Sequence, residues 1–342
     1  MKYLWAYSIP LTGVLGIYFG GVWMYAALVF AFVFIPIFEL LLPIDTRNYE
    51  KSEVEERSQN VFFDILLYLN VPIVFSIHLY SLHKLTSYSL TQSELIGMTL
   101  SVGIILGSNG INVAHELGHR TSFIEKMLGK LLLIPSHYMH FFIEHNHGHH
   151  LHVSTPEDPS TAKYNQNLYS FWIQTVLGTY TKAWKIQLNL NKIEKRSFFS
   201  LKNDMFWFTI IQVFYLVLVY YFFGFNGFLF AIFVGIVGFL LLETINYIEH
   251  YGLKRNLLAS GRYERVSEKH SWNSNHILGR IMLYELTRHS DHHYKSQKKY
   301  QILEYHDVSP QMPYGYPTSM VLAFFPPLWF AVMNKRIPLE MR

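Results

Sequence analysis

The 342-residue chain is 51% hydrophobic, 17% aromatic and only 15% charged, with no cysteine and a formal net charge of +4. That composition excludes a disordered or fibrous chain, a disulfide-stapled secreted domain, and any self-contained haem-thiolate, iron–sulfur or Cys-ligated zinc centre. A positive mean hydropathy and long apolar runs point to an integral membrane protein.

A bilayer core of about 30 Å needs roughly 20 helical residues. Six stretches meet or approach that length: 4–19, 22–42, 61–82, 96–113, 205–225 and 228–249. Gly20-Gly21 and Gly224-Phe225-Asn226-Gly227 supply two of the chain reversals. The N-terminus resembles a signal peptide only superficially, with one lysine and no clear cleavage site before the next span. Three helical hairpins then put the N-terminus and residues 43–60, 114–203 and 250–342 on one side. Every Lys and Arg except Lys84 falls there. Among short loops, which govern orientation, Arg47, Lys51 and Arg57 in 43–60 outweigh Lys84 in 83–91, so the polar mass is expected in the cytoplasm. Residues 127–143, with Pro135, His137 and His140, read as a helix at the interface or capping the bundle; so do 317–333, broken by Pro326-Pro327. No repeat, low-complexity tract or linker marks a second domain. The expectation is one all-α membrane domain over 1–342, with six transmembrane helices and a cytoplasmic helical cap of 114–203 and 250–342.

The 18 histidines carry the chemistry, and all but His78 and His83 lie on the polar side or at its membrane edge. His115 and His119 stand four residues apart on one helical face. His145, His149 and His150 form a second group, His289, His292 and His293 a third, and His250 ends the last span. A single histidine is most often an ordinary surface or core residue. So many imidazoles at one edge would repel or stay unsatisfied unless a metal held them, and an all-nitrogen set suits iron, copper, zinc or nickel. Nine ligands exceed the four to six that one metal takes, so two metals are expected. His147 points away from His149 if its segment is helical, and is left out.

The strings HELGHR (115–120), EHNHGHH (144–150), NYIEHYG (246–252) and LTRHSDHH (286–293) resemble the integral-membrane alkane monooxygenases, non-haem diiron hydroxylases of the desaturase superfamily. The match extends through Thr155-Pro156-Glu157-Asp158-Pro159 and Arg262-Tyr263-Glu264-Arg265-Val266 to Ser271-Trp272-Asn273-Ser274. The resemblance implies two iron ions on those nine histidines, O2 as co-substrate, and hydroxylation of an n-alkane to its 1-alcohol. It also implies electrons from NADH through rubredoxin reductase and rubredoxin, in a bacterial inner membrane with the site on the cytoplasmic side. A histidine at 147 and Thr287 in place of the usual Gln are departures, neither at a ligand position.

The residues agree with that chemistry. An unactivated methyl offers neither an acidic proton nor a leaving group, so its attack needs an oxidant made from O2 at a redox metal. Glu116, Glu144, Asp158, Glu249 and Asp291 are candidates to accept the outer N–H of ligand imidazoles. Asp64 and Glu243, inside apolar spans, should face the bundle interior, as structural groups or along the substrate path. The substrate is expected from the bilayer, and Trp23, Tyr25, Phe30 and Phe34 are compatible with a lined channel. Without cysteine the chain holds no iron–sulfur carrier of its own. Lys295, Lys298 and Lys299, just after the third box, are candidates to dock an acidic donor protein or to contact anionic headgroups. No nucleic-acid partner is expected. The rival readings are a xylene-type methyl hydroxylase, a fatty-acyl desaturase, and a metal transporter or chaperone, whose histidines should instead line a path across the membrane.

Overall fold

Helix is the only extended regular structure among the described residues, 1–341, of the computed structural model. Within a bilayer this is what the backbone requires, since each N–H and C=O must be paired inside its own segment. In chain order the principal helices are α1 (Ser8–Phe19), α2 (Gly21–Leu41), α3 (Val61–Ser87), α4 (Gln92–Gly118), α5 (Phe123–Leu132), α6 (141–152), α7 (Leu168–Ile193), α8 (Asp204–His250), α9 (His289–Tyr294), α10 (Tyr316–Ala323) and α11 (Pro326–Met333). Four of them, α2, α3, α4 and α8, are long and apolar enough to cross a membrane.

The expected first span is a 3-10 turn over Lys2–Tyr7 followed by the 12 residues of α1. Pro10 has no N–H for the Ala6 carbonyl, so the regular ladder starts late. The 47-residue α8 is interrupted at Gly224, whose φ of 67° and ψ of −171° leave the helical region where the sequence places a reversal. The interfacial helix expected over 127–143 is instead α5, a turn that carries His137 at φ 54°, and the start of α6. Residues 317–333 divide before Pro326-Pro327, into α10 and α11.

The chain forms two compact units. The first comprises Met1–Phe34, Val61–Ile143 and Ala183–Leu242. Its helices cross closely through small residues. A Cβ at Gly103 of α4 would lie 2.4 Å from Val237 of α8, and one at Gly238 of α8 would lie 3.0 Å from the Leu106 side chain. Gly103 and Gly107 thus form a small-xxx-small face where packing, rather than water exclusion, holds the helices. α4 unwinds into a wider π-helical stretch over Leu106–Ile111 before the segment bearing His115. On α2 the buried face is Met24, Ala27 and Ala31, continued by Ile35 and Glu39. Of the four aromatic residues expected along a channel, Trp23 and Phe34, 62% and 49% exposed, point outward, while Tyr25 and Phe30 are half-buried.

The second unit comprises Ile35–Asn60, Glu144–Lys182 and the chain from Glu243 onward. Here α7 buries Phe171, Thr175 and Thr179 at four-residue spacing. The loop 155–159 presses on α7 at Gly178, where a Cβ would lie 2.5 Å from Pro159. Between His250 and Ile277 no helix forms, so the expected cap is helical only in part. Side chains pair that backbone instead. Arg255 donates from Nη1 to the Leu151 carbonyl at 2.8 Å and from Nε to the Glu264 carbonyl at 2.7 Å.

Candidate metal centre

The second histidine box is not a plain α-helix. After an α-helical turn, Phe141–Glu144, the chain widens into a π-helical turn over His145–His149. Residues five apart fall near one face in a π turn, whereas they diverge in an α-helix. His145 and His150 therefore meet, with their Nε2 atoms 3.0 Å apart. His149 leaves on another side, and the exposed His147 joins neither neighbour's group.

Seven histidines of the second unit sort into two groups. His145, His150 and His292 belong to one; His149, His250, His289 and His293 belong to the other, and the nitrogens within each lie within 4.8 Å of one another. The third box divides as the second does. His289 and His293 share a face of α9 while His292, one residue from His293, turns to the other group. Each pair of adjacent histidines, 149–150 and 292–293, thus contributes one ring to each group.

In the four-histidine group the Nε2 atoms form a chain: His149 to His293 at 3.2 Å, His293 to His289 at 3.0 Å, and His289 to His250 at 3.2 Å. All four residues are buried. Burial, and then the surrounding imidazoles, push His293 well below its ordinary pKa, so it is neutral with a lone pair to give. Nitrogens about 3 Å apart match neighbouring ligands on one ion with bonds of about 2.1 Å. The donor set fits a first-row transition metal.

Asp158 sets one of these rings. His149 Nδ1 donates to its Oδ2 at 2.9 Å, which leaves His149 Nε2 to face the group. The Thr161 hydroxyl donates to the same oxygen at 2.6 Å, and the Ser160 N–H to Oδ1 at 3.2 Å. Burial disfavours the charge, yet His149 and Lys182 hold the Asp158 carboxyl well below the usual carboxylate range. Glu144 sits 3.1 Å from Lys182 Nζ, and burial pushes its carboxyl up to about 7. Lys182 therefore stands between Glu144 and Asp158, a role that no histidine motif announces. Its signal is its place beside the buried face of α7.

Three of the expected outer carboxylates are placed differently: Glu144 faces Lys182 rather than a ligand imidazole, and Asp291 and Glu249 have other places. Asp291 accepts from Lys298 Nζ at 2.7 Å, the Glu304 N–H at 2.8 Å and His306 Nε2 at 2.8 Å, so its partners are cap residues and not ligand imidazoles. Its position on α9 turns it away from the face shared by His289 and His293. Glu249 Oε2 lies 3.2 Å from His289 Nε2, the nitrogen that faces the group, rather than at an outer Nδ1. Lys298, expected to dock a donor, is occupied. Its ammonium bridges Asp291 and Glu304, and its side chain is 13% exposed. Lys295 is exposed, and Lys299 is half-buried.

In the first unit His115 and His119 pair at the end of α4, with ring centroids 5.0 Å apart and nearly perpendicular. Glu116 pairs with Arg120 at 2.9 Å, and Arg120 reaches Asp64 at 3.3 Å. Asp64 thus has a structural partner inside the bundle. Glu243, in the second unit, accepts from the Thr175 hydroxyl at 2.7 Å and from Asn246 at 3.1 Å, which gives it a structural place as well. The burial of both could be foreseen from their cost in an apolar span; the partners of neither could.

Residues 93–322 match the family described as fatty acid desaturase. The chain is similar to alkane 1-monooxygenase 2 of Pseudomonas aeruginosa, with 37% identity over 97% of this chain and 91% of that protein. Alkane 1-monooxygenase 2 of Alcanivorax borkumensis is 36% identical over 97% and 89%. The hydroxylase component XylM of the Pseudomonas putida xylene/toluene monooxygenase is 28% identical over 96% and 87%.

Proposed function

This chain belongs to the fatty acid desaturase family, in its alkane 1-monooxygenase branch, and from that premise we propose that it is a membrane enzyme that hydroxylates n-alkanes to 1-alcohols at a non-haem diiron centre. The division of adjacent histidines between two groups, one of them buried throughout, is the observation that carries the reading. A desaturase reading rests on the family alone, whereas the alkane reading also has relatives of 36–37% identity along most of both chains. A methyl of xylene is the second reading, favoured by one relative of 28% identity.

In this proposal His149, His250, His289 and His293 hold one iron. His145, His150 and His292 hold the other, and three imidazoles fall short of the four to six ligands a first-row metal takes. His115 and His119, a pair on one helical end, supply the remaining two. Bound there, the irons supply the reduction of O2 to an oxidant able to attack an unactivated methyl. The overall change is RCH3 + O2 + 2e− + 2H+ → RCH2OH + H2O. The protein's part is positional. Asp158 fixes the tautomer of His149 so that Nε2 faces the group. Packing around the imidazoles excludes water, while Lys182 balances the carboxylates behind them. The alkane enters from the bilayer.

The two electrons come from another protein, since the chain has no cysteine for an iron–sulfur carrier. We assign rubredoxin and its NADH-dependent reductase to this role, with the polar face and the iron centre on the cytoplasmic side of a bacterial inner membrane. The family match runs through residues of both units, which supports treating 1–342 as one hydroxylase domain. Membranes given rubredoxin, its reductase, NADH, an n-alkane and isotopically labelled O2 should yield labelled 1-alcohol. An alkene, or oxygen drawn only from water, overturns the reading, and a parallel panel of xylenes tests the second one.

A further inference from the structure

The four-histidine group has a neighbour of a different kind. Glu249 precedes His250 at the end of α8, and its side chain is 1% exposed. Its Oε2 lies 3.2 Å from His289 Nε2, the same separation that divides His289 Nε2 from His250 Nε2. An outer carboxylate would sit on the far nitrogen of a ligand ring, as Asp158 does at His149 Nδ1. Glu249 instead shares the side on which the imidazole nitrogens converge.

Its other oxygen is fixed. Oε1 accepts from the hydroxyl of Tyr316 at 2.7 Å, and Tyr316 is fully buried in the first turn of α10. The backbone of Glu249 is fixed too, because its carbonyl accepts from the Trp272 N–H at 2.8 Å. One hydroxyl is thin compensation for a buried carboxylate, whose desolvation is costly unless a positive charge stands nearby. A metal ion among the four imidazoles is such a charge, and oxygen donors suit iron.

We propose that Glu249 is a fifth protein ligand of the four-histidine group, binding through Oε2 while Tyr316 holds Oε1. This rests on the diiron reading above and adds an oxygen donor to a site otherwise composed of nitrogen. It also makes the two sites alike in number: five histidines at one, four histidines and a carboxylate at the other. A single anionic ligand makes the two irons electronically unequal.

The test is iron content and Mössbauer spectroscopy on the full-length chain loaded anaerobically with labelled ferrous iron. Wild type should hold about two irons per chain, one for each histidine group, and show two distinct doublets. Glu249→Gln, whose neutral amide is a poor ligand, should lose one iron or shift one doublet and leave the other unchanged. Tyr316→Phe should retain both irons and shift that same doublet. Two wild-type doublets at full iron content in Glu249→Gln overturn the inference. If that variant does not fold, a wild-type spectrum in Tyr316→Phe overturns it as well. A wild-type chain that binds no iron would instead defeat the diiron reading, so the two failures are distinguishable.

Discussion

His145 and His150 bring their Nε2 atoms to 3.0 Å although five residues separate them. Only the π-helical turn between them allows this, since an α-helix would turn the second ring well away from the first. The underwinding also frees His149 to reach a different group. A local departure from regular helix thus distributes one short segment between two histidine groups.

Substitution of neighbours should therefore have separable effects. His149→Ala removes a ligand from the four-histidine group and His150→Ala from the other. Each variant should retain about one iron per chain, and the surviving Mössbauer doublets should differ between the two. Identical surviving doublets would show that the two rings serve one ion.

Asp158→Asn should weaken metal binding without removing a ligand. The amide can present its N–H to His149 Nδ1 and select the wrong tautomer, and Lys182 loses a carboxylate 3.9 Å away. Loss of such an outer partner typically costs about 10–100-fold in metal affinity. Competition with a chelator during iron loading measures it, and wild-type affinity would remove Asp158 from this role.

The histidines themselves were legible because chemistry demands their type and their crowding at one membrane edge. Their allocation was not. An ideal helix over 144–150 hides the π turn, and nothing in LTRHSDHH says that His292 and His293 part company. The second box also shows why carboxylates near histidines are ambiguous in sequence. Asp158 supports a ring from nine residues away, whereas Asp291, between His289 and His292, serves Lys298 and His306. Apolar stretches announced the long helices, but length alone could not reveal the 3-10 start before Pro10 or the irregular run after His250.

Arg120→Ala should destabilise the first unit. Arg120 is almost completely buried and touches both Asp64 and Glu116, so truncation leaves two carboxylates in apolar surroundings. Breaking a buried pair by removing one partner costs about 3–5 kcal/mol. Thermal unfolding in detergent should show a clear drop, and Asp64→Asn in the same background should recover part of it. An additive further loss would mean the pair does not act as a unit.

Lys298 and Lys295, three residues apart, stand in different surroundings, one held in a carboxylate network and the other exposed. Lys298 bridges Asp291 on α9 with Glu304, and Asp291 also holds His306 and the Glu304 backbone. This small network fixes the chain directly behind the third histidine box. Lys298→Glu would place three carboxylates together there, and like charges at that distance repel. It should lower thermal stability and iron retention, with turnover falling because the site is disturbed. Lys295 is exposed, with its ammonium 5.1 Å from the ring of Tyr294, and holds no carboxylate in that network. Lys295→Glu should therefore leave stability and iron content unchanged. If an acidic donor approaches this face, the reversal should slow donor-dependent turnover at low salt and flatten its salt dependence, because steering by exposed charge is screened. Turnover that keeps the wild-type salt profile in Lys295→Glu would assign that lysine to lipid headgroups. A Lys298→Glu variant as stable and iron-loaded as wild type would return Lys298 to the docking face.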